Sequence, residues 1–276
     1  MPRDAFNIVF IQPSGFPHGG VYLDLARLLQ FSLESLGHEV EVNFNLFSPN
    51  RINIVLGYHM LANVELLRGL RWIPYQLEQL DVHNDTHTRY WLKILAEAKE
   101  IWDFDPGNIA YLRSRGIEAV SHVPIGFHPS MRTIVPVEPE IDVLHYGSVS
   151  DRREPIFASL LKRCDFKAVF GTYGAYRDDL ISRSKIVLNL HQFDDGAPFE
   201  QVRVSFLLNN AVCVVCEDAN YNPYAEILPT VAYDRLVDRC LELLADESGR
   251  RQMADDAGRR FSQMPMTEIL SAALHH

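Results

Sequence analysis

The feature that most constrains this chain is an alternation. Short apolar runs rich in β-branched residues recur, each followed by a stretch with apolar residues at helical spacing. Residues 6–12, 38–44, 52–56, 72–77, 100–103 and 119–123 read as strands, and 22–36, 89–98 and 108–115 as helices. Most of these runs are apolar without a period of two, which marks strands buried on both faces of a parallel sheet. Parallel neighbours need a crossover, and the helical stretches supply it. Residues 124–139 then carry four prolines and lose periodicity, which reads as a linker. At residue 141 the pattern restarts. Strands are expected over 142–146, 167–170, 185–190 and 212–216, and helices over 155–163, 176–182, 202–208, 233–245 and 247–261. Two such arrays imply an α/β protein with two Rossmann-like parallel-sheet domains facing a cleft, over residues 1–130 and 140–276. One continuous large sheet is the alternative.

Composition narrows the function. The 276 residues are 47% hydrophobic and 22% charged, an ordinary balance for a folded chain. The formal net charge of -10 argues against a general nucleic-acid binder, which needs a basic surface to displace counterions. No apolar run approaches the roughly 20 residues of a membrane span, and the first residues lack a signal-peptide pattern. A cytoplasmic location is expected. Leu66, Leu67, Leu70 and Trp72 beside Arg68 and Arg71 offer a patch for peripheral membrane docking, or else form an ordinary helix-to-strand connection. Cys213 and Cys216 form a CxxC inside the run 212–216, where two buried thiols are expected rather than a redox or zinc motif.

Ligands of open α/β sheets bind at the carboxyl ends of the strands, and three loops there carry candidate residues. After the first strand come His18, Gly19 and Gly20. Small residues admit a phosphate to the backbone, and a helix N-terminus attracts anions. A plain strand–turn–helix loop accounts for the same residues. After strand 142–146 come Gly147, Ser148, Arg152 and Arg153. Two arginines at a helix N-terminus oppose its dipole, which favours an anionic ligand nearby. At and after the end of strand 185–190 come Asn189, His191, Glu200 and Arg203, with Glu200 suited to the two hydroxyls of a ribose. An i,i+3 surface pair is the plainer reading. His83 and His87 share helical spacing, but Asn84, Asp85 and Thr86 between them suggest a turn or cap, and no metal is expected.

The strand before Gly147-Ser148, the run KIVLNLH and the segment FEQVRVSFLLNNAVCVVCE together resemble the carboxy-terminal domain of group 1, CgeB-like bacterial glycosyltransferases. The resemblance spans about residues 141–262, with Arg203, the turn Asn209-Asn210-Ala211 and the strand ending at Glu217 in corresponding places. It implies a GT-B fold and transfer of a sugar from a nucleoside-diphosphate sugar to a glycan, lipid-linked or small-molecule acceptor. It implies no cofactor beyond that donor and no metal. Arg152, Arg153, Gly19 and Gly20 would meet the diphosphate, and Glu200 and His191 the nucleoside or sugar. Gly147, Ser148, Asn189 and Arg203 complete the expected donor site. The general base would be His18, with Glu78 and Asp81 next. The sequence departs from the family where Pro198 and Phe206 replace two glutamates and Ala211 a glycine. A sugar-nucleotide epimerase of the same fold and a degenerate binding module are the alternatives.

Overall fold

The computed structural model describes residues 3–15, 18–80, 85–192 and 199–275. They form two compact units, one of Met1–Ile125 with Pro265–His276 and one of Gly126–Met264.

The first unit is built on six parallel strands. These are β1 (Ala5–Phe10), β2 (Glu39–Phe44), β3 (Ile52–Leu56), β4 (Trp72–Gln76), β5 (Ile101–Asp103) and β6 (Val120–His122), in the order β2-β1-β3-β4-β5-β6. Central strands are buried almost throughout, as their unbroken apolar runs require. The edge strand β2 alternates instead, and Arg51 pairs with its Glu39 and Glu41. Charges of this kind protect an open sheet edge. Helices α1 (Leu23–Ser35), α2 (Asp85–Leu95) and α3 (Pro106–Ser114) make the crossovers. In α3, Asp105 caps the Asn108 amide and Pro106 occupies the first turn, where its missing N–H costs nothing.

The second unit holds four parallel strands, β7 (Ile141–Tyr146), β8 (Phe166–Val169), β9 (Ser184–Asn189) and β10 (Val214–Cys216), in the order β10-β9-β7-β8. Its helices are α4 (Glu154–Leu161), α5 (Gly174–Ser182), α6 (Gln201–Asn209), α7 (Leu236–Ala245) and α8 (Glu247–Phe261). The two arrays are therefore separate sheets, and the continuous-sheet alternative does not hold. One further helix, α9 (Met266–Ala273), was not anticipated. It packs on α1 of the first unit, so the contacts assign the tail, read above with residues 140–276, to the first unit. Met266 and Leu270 are fully buried there, each worth about 1.5–3 kcal/mol.

Two local departures have physical reasons. The turn before β10 places Ala211 at φ 51, where a glycine is easier. The neighbouring surface makes room: a Cβ on Gly258 would lie 2.9 Å from that of Ala211. The patch at 66–72 forms a 3-10 turn over Val64–Leu67 and then β4, with Leu67 and Trp72 buried and only Leu66 strongly exposed among its apolar residues. Among the described residues, no helix is long and apolar enough to cross a membrane.

Cys213 and Cys216 are both buried free thiols at β10. Burial pushes Cys213 up to about 12 and Cys216 higher still. The thiolate is the reactive form, so both should resist alkylation in the native protein and label at once in denaturant. Mass spectrometry of iodoacetamide-treated protein checks this. Rapid native labelling of both would contradict the strand assignment.

Candidate functional site

In the second unit, chain order sends β8 to one side of β7 and β9 to the other. The loops that follow β7 and β9 therefore diverge at the carboxyl edge, the switch point where open α/β sheets leave a crevice. Gly147 follows β7 with φ 154. A Cβ there would meet Arg203 Nη2 at 3.1 Å, His145 Nε2 at 3.2 Å and Arg153 Nη1 at 3.5 Å. Only a glycine lets those three nitrogen-bearing groups gather so close to the backbone.

Glu200 stands at the start of α6 and makes no side-chain cap bond. The simple capping role is thereby removed. Its carboxylate pairs instead with Arg203 one turn on, and with Arg153 Nη2 at 3.5 Å. Arg203 also donates to Asn189 Oδ1 at 2.8 Å, and its guanidinium lies over the Tyr146 ring. Glu200 and Arg203 keep side-chain exposures of 28% and 18%, so this pair remains open to a ligand.

The two adjacent arginines are engaged differently from the sequence expectation. Arg153 is 2% exposed. Its guanidinium donates to Leu190 O at 3.0 and 2.5 Å, to His191 O at 3.3 Å and to Ser148 O at 2.6 Å. It ties the β7 loop to the β9 loop. Arg152 forms a two-pronged pair with Glu217 and reaches His191 O at 3.2 Å, while the Tyr233 ring covers it at 4.3 Å. The charge that seemed misplaced at a helix N-terminus is balanced within the protein. Of the three arginines, Arg203 lies nearest the glycine, and its partner Glu200 is half-buried.

His145 is wholly buried at the end of β7. Its Nδ1 lies 3.1 Å from Leu188 O, which fixes that nitrogen as the donor. Burial, with Arg203 and Arg153 nearby, lowers its pKa to about 3. The ring is neutral, and Nε2 is an acceptor without a hydrogen bond among the described residues. The His191 ring Nε2 lies 2.9 Å from Asp218 O, its backbone N–H donates to Glu217 at 2.9 Å, and Nδ1 has no hydrogen bond among the described residues. Two buried imidazole nitrogens without a hydrogen bond among the described residues thus flank the switch point. Neither His145 nor Glu217 stood among the sequence candidates. His145 was signalled only by its place just before Gly147-Ser148, and Glu217 by ending the last strand.

The remaining candidates lie in the first unit or outside the described residues. His18 precedes the 3-10 turn Gly19–Tyr22, which separates Gly19 and Gly20 from α1. Glu78 follows β4, where Tyr22 reaches its carboxylate at 3.4 Å. Asp81, His83, Asn84 and Pro198 lie outside the described residues. Phe206 is buried in α6 with the Arg177 guanidinium 4.3 Å above its ring, a cation–π contact.

No protein-family model matches the chain. It is similar to sucrose-phosphate synthase from Thermosynechococcus elongatus, with a TM-score of 0.62 at 13% identity over 98% of each chain. The fold is GT-B-like. The chain is also similar to the DNA-modifying enzyme β-glucosyltransferase, whose substrate is uridine diphosphoglucose, with a TM-score of 0.57 at 12% identity over 98% of this chain and 99% of that one. Among sequences, an uncharacterized protein (R358) of Acanthamoeba polyphaga mimivirus is 23% identical over 86% of this chain and 87% of its own.

Proposed function

We propose that the chain is a glycosyltransferase of the group 1, CgeB-like kind that takes its sugar from a nucleoside diphosphate bound at the switch point of the second unit. The observation that carries the reading is the Glu200–Arg203 pair beside Gly147. A nucleoside diphosphate needs an acceptor for ribose hydroxyls and a cation for the diphosphate. Glu200 supplies two oxygens and Arg203 a planar donor set, side by side. Arg153 holds Glu200 from beneath and joins the two loops, so the site is preorganised. As the sugar leaves, negative charge grows on the diphosphate, and a fixed guanidinium stabilises that charge more than it stabilises the bound substrate. The neutral His145 adds an acceptor without adding charge. The similarity to proteins named as sucrose-phosphate synthase and β-glucosyltransferase supports a sugar donor, and uridine diphosphate is the first nucleotide to test. In this reading, transfer needs no metal and no resident cofactor.

Calorimetric titration with uridine diphosphate tests the site. Glu200→Gln keeps the shape and one acceptor oxygen but loses the charge. Nucleotide affinity is expected to fall roughly tenfold, about 1.4 kcal/mol, while the calorimetric stoichiometry stays unchanged. Equal affinities in wild type and variant would remove Glu200 from the donor site. Binding with no hydrolysis or transfer of uridine diphosphoglucose would favour the degenerate binding module suggested by Phe206.

A further inference from the structure

An open sheet leaves backbone N–H and C=O groups unpaired along its outermost strands, and an uncovered row of them is a template for another strand. The two sheets have four such edges, β2, β6, β8 and β10. Three are managed. β2 carries Glu39 and Glu41, held by Arg3 and Arg51. On β6 the Val120 carbonyl accepts from Arg113 at 3.2 Å. Beside β10, Val231 donates to Cys216 O at 3.0 Å and accepts from Asp218 at 2.9 Å. The β8 edge has no such cover among the described residues. Val143 and Gly147 donate to Asp165 O and Val169 O, so the alternate backbone groups of Phe166 and Ala168 point out of the sheet. Ala168 is exposed. Two large apolar side chains flank this edge in the open, Leu161 at the end of α4 with 64% exposure and Phe170 just past β8 with 57%.

The helix over this edge is placed by Phe157. Its ring lies 5.0 Å from His145 of β7 and 5.1 Å from Phe166 of β8, so α4 rides above the β7–β8 pair. Glu154 at the start of α4, Ala158 at its middle and Leu161 and Lys162 at its end are exposed. Neither the Glu154 nor the Lys162 side chain has an ion pair among the described residues.

We infer that β8 is the seam of a homodimer, in which the β8 strands of two copies join antiparallel across a two-fold axis at Ala168. Ala168 then exchanges two backbone hydrogen bonds with Ala168 of the second copy. Phe166 lies opposite Phe170 of the second copy, and Lys167 lies opposite Val169, so no like charges meet. The two sheets become one. Copies of α4 come two strand spacings apart, about 10 Å, which is a helix-packing distance. They run antiparallel, so Glu154 faces Lys162 of the second copy at both ends and Ala158 faces its own copy between them. Phe170 of each copy covers the end of the other that holds Phe166 and Leu161. The surface thus complements itself in backbone, apolar side chains and charge, as a two-fold interface requires. Glu200 and Arg203 take no part, so the inference stands apart from the donor reading.

Sedimentation velocity of the full chain up to about 100 μM tests it, a range that reaches the weak complexes of small interfaces. Wild type should sediment with twice the monomer mass. Lys162→Glu sets two carboxylates against each other at both ends, and should weaken the dimer at least tenfold. Glu154→Lys combined with Lys162→Glu reverses both partners and should restore most of the affinity. Ala168→Pro removes an amide that serves no bond within the sheet, and should give a folded monomer. Near-ultraviolet circular dichroism checks that each variant is folded, and should Ala168→Pro fail there, the two charge variants decide. A wild type that stays monomeric over the whole range overturns the inference. So does a dimer that Lys162→Glu leaves undiminished, or a double reversal no tighter than the single one.

Discussion

Glu217→Ala is expected to cost about 3–5 kcal/mol of folding stability, the effect of leaving a buried charge without its partner. Glu217 and Arg152 have side-chain exposures of 5% and 14%, and the carboxylate grips the guanidinium through both oxygens. It also accepts the His191 amide at 2.9 Å. Removing Glu217 takes the counter-charge from Arg152, which keeps His191 O and the Tyr233 ring, and takes the acceptor from the His191 amide. Removing only the arginine strands the carboxylate, but the His191 amide still serves it. Arg152→Met is therefore expected to be the milder single change, with the methionine filling the space beside Tyr233. The double variant Arg152→Met, Glu217→Leu should recover at least half of the loss, because neither charge then remains in the interior. Urea unfolding of wild type, Arg152→Met, Glu217→Leu and the double variant gives the coupling directly, with Glu217→Ala measured beside them. A cost under about 1 kcal/mol for Glu217→Ala would show that water reaches Arg152 as it does at a surface pair.

That pair also shows where a sequence stops being legible. Arg152 and Glu217 are 65 positions apart, and no local pattern couples them. From the sequence, Arg152 and Arg153 had only their place at a helix N-terminus, and an absent counter-charge looked like an invitation to a ligand. The fold supplies that counter-charge from the end of β10 and supplies carbonyls from the loop after β9. The strands were legible for the opposite reason. All ten coincide with the expected runs to within about two residues; in the central strands, burial on both faces demands a continuous apolar stretch that local inspection detects, and the edge strand β2 shows by its alternation. Helix ends were less so. Helix α2 begins at Asp85, before the expected start at 89, because apolar spacing reports the buried face and the first turn has few such residues. Helix α9 escaped notice because eight residues without a side-chain cap carry little periodic signal. At the second unit's switch point, Gly147, Asn189, Glu200 and Arg203 were legible as residues at or after strand ends. Their mutual contacts were not.

Acidification should destabilise the protein chiefly through His145. The ring is wholly buried, and its pKa is lowered to about 3 by burial first and then by Arg203 and Arg153. An unfolded imidazole takes a proton near pH 6.5. Between pH 6.5 and about 3, the unfolded state therefore binds a proton that the folded state refuses. Stability from this group is fully present above pH 6.5 and drains away as pH falls through that window. Over the 2.5 units from pH 6.5 to pH 4 the loss amounts to about 3 kcal/mol, at 1.36 kcal/mol per unit. Carboxylates contribute their own acid sensitivity, so a matched variant is needed. His145→Asn keeps a donor for Leu188 O, which His145 reaches at 3.1 Å, and removes the titration. It loses packing against Phe157, whose ring lies 5.0 Å away, and will be less stable than wild type at pH 7. The decisive quantity is the change between pH 7 and pH 4, measured by urea unfolding at each. Wild type should lose about 3 kcal/mol more than His145→Asn over that interval. Equal losses would mean that the folded protein accepts the proton on Nε2, and that the environment of Gly147 and the two arginines tolerates an imidazolium.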